Sequence, residues 1–313
     1  MKFNRKYSVG EISDILSAPA FGNLEADLWG INEIHRLSKG DIAFVDHPKY
    51  YIKALSSEAS LILINQKVNI PEGKAIILVD DPFTKFNQLL KHFSPYRFFS
   101  DEGPEDTKIG EGTKIHPSVV IGDNVTIGKN CLIMPNVCLY DNTTIGDQVI
   151  IHAGTIIGAD GFYYKNRPRH FEKLHSAGGV MIENDVEIGA NCTIDKGVTA
   201  KTRIGKGTKI DNLVQIGHDT VIGEKCLIAS QCGISGCVTI GDGVIIWGQA
   251  GITSGISIGE KAVVAAQSGV SKSLIGYKTY AGSPAAEFRI VYRELAYLRN
   301  LPNLISSIKN PIP

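Results

Sequence analysis

The chain has 313 residues, 43% of them hydrophobic and 20% charged, and its 32 basic side chains balance 32 acidic ones for a formal net charge of zero. Such a balance, with no run of Lys and Arg longer than a pair, excludes binding of duplex nucleic acid by phosphate neutralisation, which needs a basic excess or stripe. The longest apolar runs, such as Ser60 to Ile64, fall far short of the roughly 18 residues of a membrane helix, and Met1-Lys2-Phe3-Asn4-Arg5-Lys6-Tyr7 has no signal-peptide character, so the expected location is the cytoplasm.

From the N-terminus, residues 1–100 read as a compact α/β domain. A helix is predicted near Ser8 to Leu16, strands at Asp41 to Val45, Ser60 to Ile64 and Ala75 to Val79, and a second helix from Asp81 to Phe93. Phe99 to Asp106, with four acids, Gly and Pro, reads as a linker. From Ile109 onward an aliphatic residue recurs every six positions through Ile157. The period breaks, resumes at Ile182, Ile188 and Ile194, takes a four-residue insertion, and runs from Ile204 to Val270, 24 hexads in all. The residue after the aliphatic one is most often Gly, and the fourth after it is small or β-branched, from Thr113 to Ser268. A period of six fits no helix, whereas a short strand and a tight corner on each side of a triangular prism fit it. The fold class is therefore mainly β, a parallel β-helix over 107–283 with three hexads per coil and about 8 coils, some 38 Å long at about 4.8 Å per layer. No coil can bury its inward aliphatic residues alone, so the stack is cooperative.

Cys131, Cys192, Cys226 and Cys232 fall in the small core slot and are expected to be free, buried thiols. Cys138 and Cys237 lie off it. No spacing resembles a zinc motif, and no metal site or disulfide is expected. Gly158 to Val180 loops out of the prism, and a long loop on a rigid scaffold is a functional candidate; the insertion after Ile194 is expected to be a corner bulge. Residues 284–313 change to helical spacing (Phe288, Val291, Tyr292, Leu295, Leu298), with Pro302 expected to kink or end the helix. Neither a Walker motif nor a dinucleotide fingerprint is present.

The order of Phe44-Val45-Asp46-His47-Pro48-Lys49-Tyr50, a hexapeptide prism with Gly158-Ala159-Asp160-Gly161-Phe162, then Ile210-Asp211-Asn212-Leu213-Val214-Gln215-Ile216-Gly217-His218 and a short helical tail resembles the UDP-3-O-(3-hydroxyacyl)glucosamine N-acyltransferases of lipid A biosynthesis. The likeness covers nearly the whole chain and implies a left-handed prism. It also implies transfer of a 3-hydroxyacyl group from acyl carrier protein, through its phosphopantetheine arm and without further cofactor, to the 2-amine of UDP-3-O-acylglucosamine, in a homotrimer with active sites between neighbouring prisms. By the same resemblance His218 is the general base and Gly236, one coil further on, offers the oxyanion its backbone N–H. Phe44 and Tyr50 sandwich the uracil, and Asp211, Asn212 and Gln215 contact the substrate. An amine attacking a thioester must lose a proton, so a histidine with a pKa near neutrality suits the task. His218 occupies the second place after its aliphatic residue, outside the core slots, so its ring is expected to face outward. Asp219 is left out of the site because neighbours on a strand point to opposite faces. Two positions depart from the family pattern: His47 where Asn is usual, and Gly255 where a second His is common. Alternatives are an acyl- or acetyltransferase acting on another UDP-amino sugar, and a non-catalytic β-helix that binds nucleotide sugar.

Overall fold

The computed structural model describes residues 1–34, 36–96 and 104–309, in two compact units; most of the linker Phe99 to Asp106 lies outside the described residues. The first unit comprises Met1–Gly103 together with Asp160–Gly179 and Lys196–Lys201. Its six-stranded sheet runs β1 (Lys2–Tyr7), β3 (Leu28–Ile31), β4 (Asp41–Val45), β5 (Leu61–Ile64), β6 (Ala75–Leu78) and β2 (Ala20–Gly22) in spatial order, with β3 to β6 parallel and the two edge strands antiparallel to them. The apolar run of β5 is buried throughout because it alternates between two cores: Leu61 and Leu63 join one, Ile62 and Ile64 the other. Helix α1 (Val9–Leu16) starts at a capping box in which Ser8 and Glu11 satisfy each other's backbone amides. Its Val9, Ile12 and Leu16 pack with Phe83, Phe86, Leu89 and Leu90 of α3 (Pro82–Phe93), while α2 (Tyr51–Leu55) lies against the opposite core through Ala54.

Both interruptions of the repeat belong to this unit. Residues 160–179 form an antiparallel hairpin, Tyr164–Asn166 with Phe171–Lys173, whose following Leu174 and Ala177 are buried with α3. The Asn87 side chain clamps it, donating to the Lys173 carbonyl at 2.9 Å and accepting from the His175 N–H at 2.9 Å. The insertion after Ile194 is not a corner bulge: Val198 is buried in the same core, and the Val198 carbonyl accepts the Ala177 N–H at 2.8 Å.

The second unit is a three-sided parallel β-helix. Its three sheets hold eight, ten and eight strands, and eight of each come from the 24 hexads. In-register pairs such as Ile127 with Ile145 and Ile216 with Ile234 stack the aliphatic residues in buried ladders. The chain turns most corners at the third residue after the aliphatic one, which is left-handed: Asn124, Asn130, Asn136, Asp219, Lys225 and Cys237 all have φ between 53° and 61°. Asn tolerates that conformation best after Gly. The glycine directly after the aliphatic residue answers a different constraint, since a Cβ on Gly110 would lie 2.5 Å from the backbone of Gly128 in the next coil. The small core slot also carries a polar ladder: Thr113 Oγ1 and Cys131 Sγ donate to the carbonyls of Gly128 and Gly146 at 2.7 and 3.1 Å. All four core-slot cysteines are buried and free, as the repeat requires. At the end, Thr279–Ala281 extends the second sheet, and α4 (Phe288–Lys309) runs on through Pro302 instead of ending there; the carbonyl that a proline leaves unpaired can be met by water on so exposed a helix.

Candidate active site at a prism corner

His218 and Asp219 follow the third-sheet strand Gln215–Ile216 and turn the chain toward the first-sheet strand Val221–Ile222. The left-handed Asp219 (φ 57°) breaks strand alternation, so two adjacent side chains converge: His218 Nδ1 lies 3.0 Å from Asp219 Oδ2. This corrects the expectation that they point apart. Asp219 is held from behind, its N–H donating to Thr202 Oγ1 at 2.9 Å. Nor is the ring solvent-facing: His218 is only 6% exposed, although it stays out of the aliphatic core, because it lies across Gly236 of the next coil. A Cβ at Gly236 would sit 2.6 Å from His218 Nε2.

Burial alone would push the His218 pKa down; the hydrogen bonds that its protonated ring donates to the Asp219 carboxylate and the Cys237 sulfur outweigh it and hold the pKa raised, to about 10. A raised pKa contributes stability that is present below the unfolded value of about 6.5 and is lost as pH rises through the folded one. Asp219→Asn removes the main raising partner, so the acidic limb of the kcat/KM profile is expected to move to lower pH, by about 1–3 units; a limb that stays in place in the variant would contradict the pairing.

The Gly236 amide occupies a place in the hexad whose N–H meets a side-chain oxygen in five other hexads. The amides of Asp123, Lys129, Asp147, Ala190 and Glu224, each two residues past the aliphatic position, donate to Asp or Asn oxygens of the next coil at 2.6–2.9 Å. Gly236 makes no such bond among the described residues.

The other candidate residues fall in separate places. Gln215 lies on the short strand just before His218, and its Oε1 accepts from Thr193 Oγ1. Asp211 and Asn212 stand at the preceding corner, lining a cleft of about 490 Å³ with His152, Glu187, Lys209 and Trp247. Asn212 Oδ1 accepts the Ala190 N–H at 2.6 Å and Asp211 Oδ1 the Asn212 N–H at 2.7 Å, so both also shape the turn. In the first unit, Phe44 is half-buried, tilted against Phe86 with ring centroids 4.6 Å apart and edge-on to Phe83 at 5.9 Å. Tyr50 is exposed beside His47, centroids 6.1 Å apart. His47 Nδ1 accepts the Lys49 N–H at 3.2 Å, the capping role that an Asn oxygen performs equally well. Gly255 is left-handed (φ 71°) with open space where a Cβ would point.

Residues 106–133, 124–159 and 201–236 match the bacterial transferase hexapeptide (six repeats), and 179–212 and 237–269 the hexapeptide repeat of succinyl-transferase. The solved UDP-N-acetylglucosamine acyltransferase of Bacteroides fragilis aligns with a TM-score of 0.53 at 26% identity, covering 61% of this chain and 73% of that one. Prism and corner together define a hexapeptide-repeat acyltransferase. Residues 25–92 match the family described as UDP-3-O-(3-hydroxymyristoyl) glucosamine N-acyltransferase, LpxD. UDP-3-O-acylglucosamine N-acyltransferases from Methylacidiphilum infernorum (35% identity; 74% of this chain, 73% of theirs) and Syntrophus aciditrophicus (41%; 74% and 70%) are similar over most of their length. The chain belongs to the UDP-3-O-acylglucosamine N-acyltransferase family.

Proposed function

We propose that this chain transfers a 3-hydroxyacyl group from the phosphopantetheine thioester of acyl carrier protein to the 2-amine of UDP-3-O-acylglucosamine, as a cytoplasmic homotrimer in lipid A biosynthesis. The observation that carries the proposal is the His218–Asp219 pair lying across the Gly236 amide, in a member of this family. His218, once neutral, takes a proton from the attacking amine as its nitrogen bonds to the thioester carbon. The carbonyl oxygen gains the negative charge and is met by the Gly236 N–H. When the C–S bond breaks, the imidazolium returns a proton to the departing thiolate, leaving amide and free thiol. Asp219 fixes the ring's orientation and stabilises its charged form through the step. No cofactor beyond the carrier's own arm is needed.

Phe44 and Tyr50 offer faces to the uracil, while Asp211, Asn212 and Gln215 contact the rest of the substrate. Base stacking on an aromatic ring contributes about 1–3 kcal/mol. Tyr50 is exposed and supports little else, so Tyr50→Ala is expected to raise KM for the UDP-sugar roughly 5- to 150-fold with kcat and Tm nearly unchanged. Phe44→Ala should raise KM and also lower Tm, since its ring packs on α3; an unchanged KM in both variants would remove the uracil site from the first unit. The trimer is supported by Trp247 and Leu227, exposed apolar residues on one prism face, and carrier docking by the basic Arg289, Arg293 and Arg299 of α4, facing an acidic partner. Among the described residues no helix is long and apolar enough to cross a membrane. Offering the purified protein the 3-hydroxyacyl carrier protein and, separately, acetyl-CoA tests the donor: product from the carrier alone supports the proposal, and product from acetyl-CoA alone replaces it with an acetyltransferase.

A further inference from the structure

The structure points to a second property of the same corner. We infer that His218, Asp219 and Cys237 form a binding site for a thiophilic divalent cation of the zinc class, and that a cation bound there stops acyl transfer. Only the second half of this inference rests on the proposed role of His218. Cys237 takes the hexad place of Asp219 one coil on; both are left-handed, at φ 61° and 57°, so the prism stacks their side chains. The Cys237 N–H donates to the His218 carbonyl at 2.8 Å. One ring nitrogen, one carboxyl oxygen and the sulfur lie within 4.8 Å of one another, the one such cluster among the described residues.

Zinc holds nitrogen, oxygen and sulfur at about 2.0–2.3 Å, which sets ligand atoms about 3.3–3.7 Å apart around one ion. His218 Nδ1 and Asp219 Oδ2, 3.0 Å apart, must open slightly, and the Cys237 sulfur must close in by no more than about an ångström, to meet that spacing. A thiolate, an imidazole and a carboxylate select zinc or cadmium over magnesium and calcium, which take oxygen donors. The site is largely preformed, because His218 and Asp219 are buried and Thr202 fixes Asp219, while the half-buried Cys237 leaves a way in. Binding displaces the thiol proton and the ring N–H proton between His218 and Asp219, both released to solvent, with no change in oxidation state. The ring that would accept the amine's proton is then a metal ligand.

Cadmium tests the site without reference to activity, through the ultraviolet absorption of a cadmium–thiolate bond. Of the two thiols outside the prism core, Cys138 serves as the control. The full-length protein and Cys138→Ser should gain this absorption up to one equivalent of Cd²⁺, and Cys237→Ser should not. Zinc should inhibit acyl transfer reversibly, relieved by EDTA, and Cys237→Ser should need at least about tenfold more zinc for half inhibition. Cadmium absorption that survives Cys237→Ser, or equal zinc sensitivity of both proteins, would overturn the inference. Cadmium binding lost with Cys237 in a protein that transfers no acyl group would uphold the site while defeating the proposed reaction.

Discussion

Replacing His218 with glutamine is expected to lower kcat for amide formation by at least about 10²–10⁴-fold, the usual contribution of a positioned general base. Glutamine is the informative substitution because it keeps a hydrogen-bonding group near Asp219. His218→Ala would leave the buried Asp219 carboxyl, whose side chain is wholly inaccessible, without its ring partner, and breaking a buried pair in that way typically costs about 3–5 kcal/mol. A drop in Tm is therefore expected for the alanine variant, and its lost activity would be ambiguous. Steady-state kinetics with melting curves separate the effects: a folded His218→Gln protein turning over at the wild-type rate would remove the histidine from the chemistry.

Gly236→Ala is the second substitution with a large expected effect. A methyl group there would stand 2.6 Å from His218 Nε2 and 2.8 Å from Cδ2, so the ring must leave its place across the glycine. The variant thus disturbs base and oxyanion donor together, and loss of a single oxyanion donor already costs about 10²–10³ in kcat. Gly236 is not left-handed, so the methyl imposes no backbone strain, but pushing the ring away from the buried Asp219 carboxyl is expected to lower Tm as well. A variant with wild-type kcat would show that neither the ring's position nor this amide matters. The same substitution at Gly233 or Gly251, whose Cβ positions are open, provides the control.

The prism was legible from the chain because one constraint, an inward aliphatic residue on every side of every coil, repeats at fixed spacing; 24 hexads became three ladders of eight. The two breaks were legible as breaks, but not their destination. Leu174, Ala177 and Val198 are apolar residues inside them, and such residues had to be buried somewhere; they complete the core of the first unit. Strand β1 escaped notice because it is a polar edge strand, exposed at four of its six residues, and edge strands carry little of the alternation by which strands are recognised. At the candidate site, that His218 and Gly236 lie together was readable from an 18-residue step, while the roles proposed for them come from family resemblance. Asp219 was missed because strand alternation was applied to a corner. The available signal was the Asn-rich third place of the hexad, which marks a left-handed residue. Cys237 was missed for a related reason: metal-site spacing rules look along the chain, while a β-helix also brings together residues one coil apart.

The most direct test of the proposed chemistry is where the acyl group ends up. UDP-3-O-acylglucosamine incubated with 3-hydroxyacyl carrier protein and this chain should gain one 3-hydroxyacyl mass, and mild alkali should then strip the 3-O-ester while leaving the new group on nitrogen as an amide. An acyl group that comes off with the ester, or no mass gain from a protein that still binds the UDP-sugar, would contradict N-acyl transfer at the His218 corner.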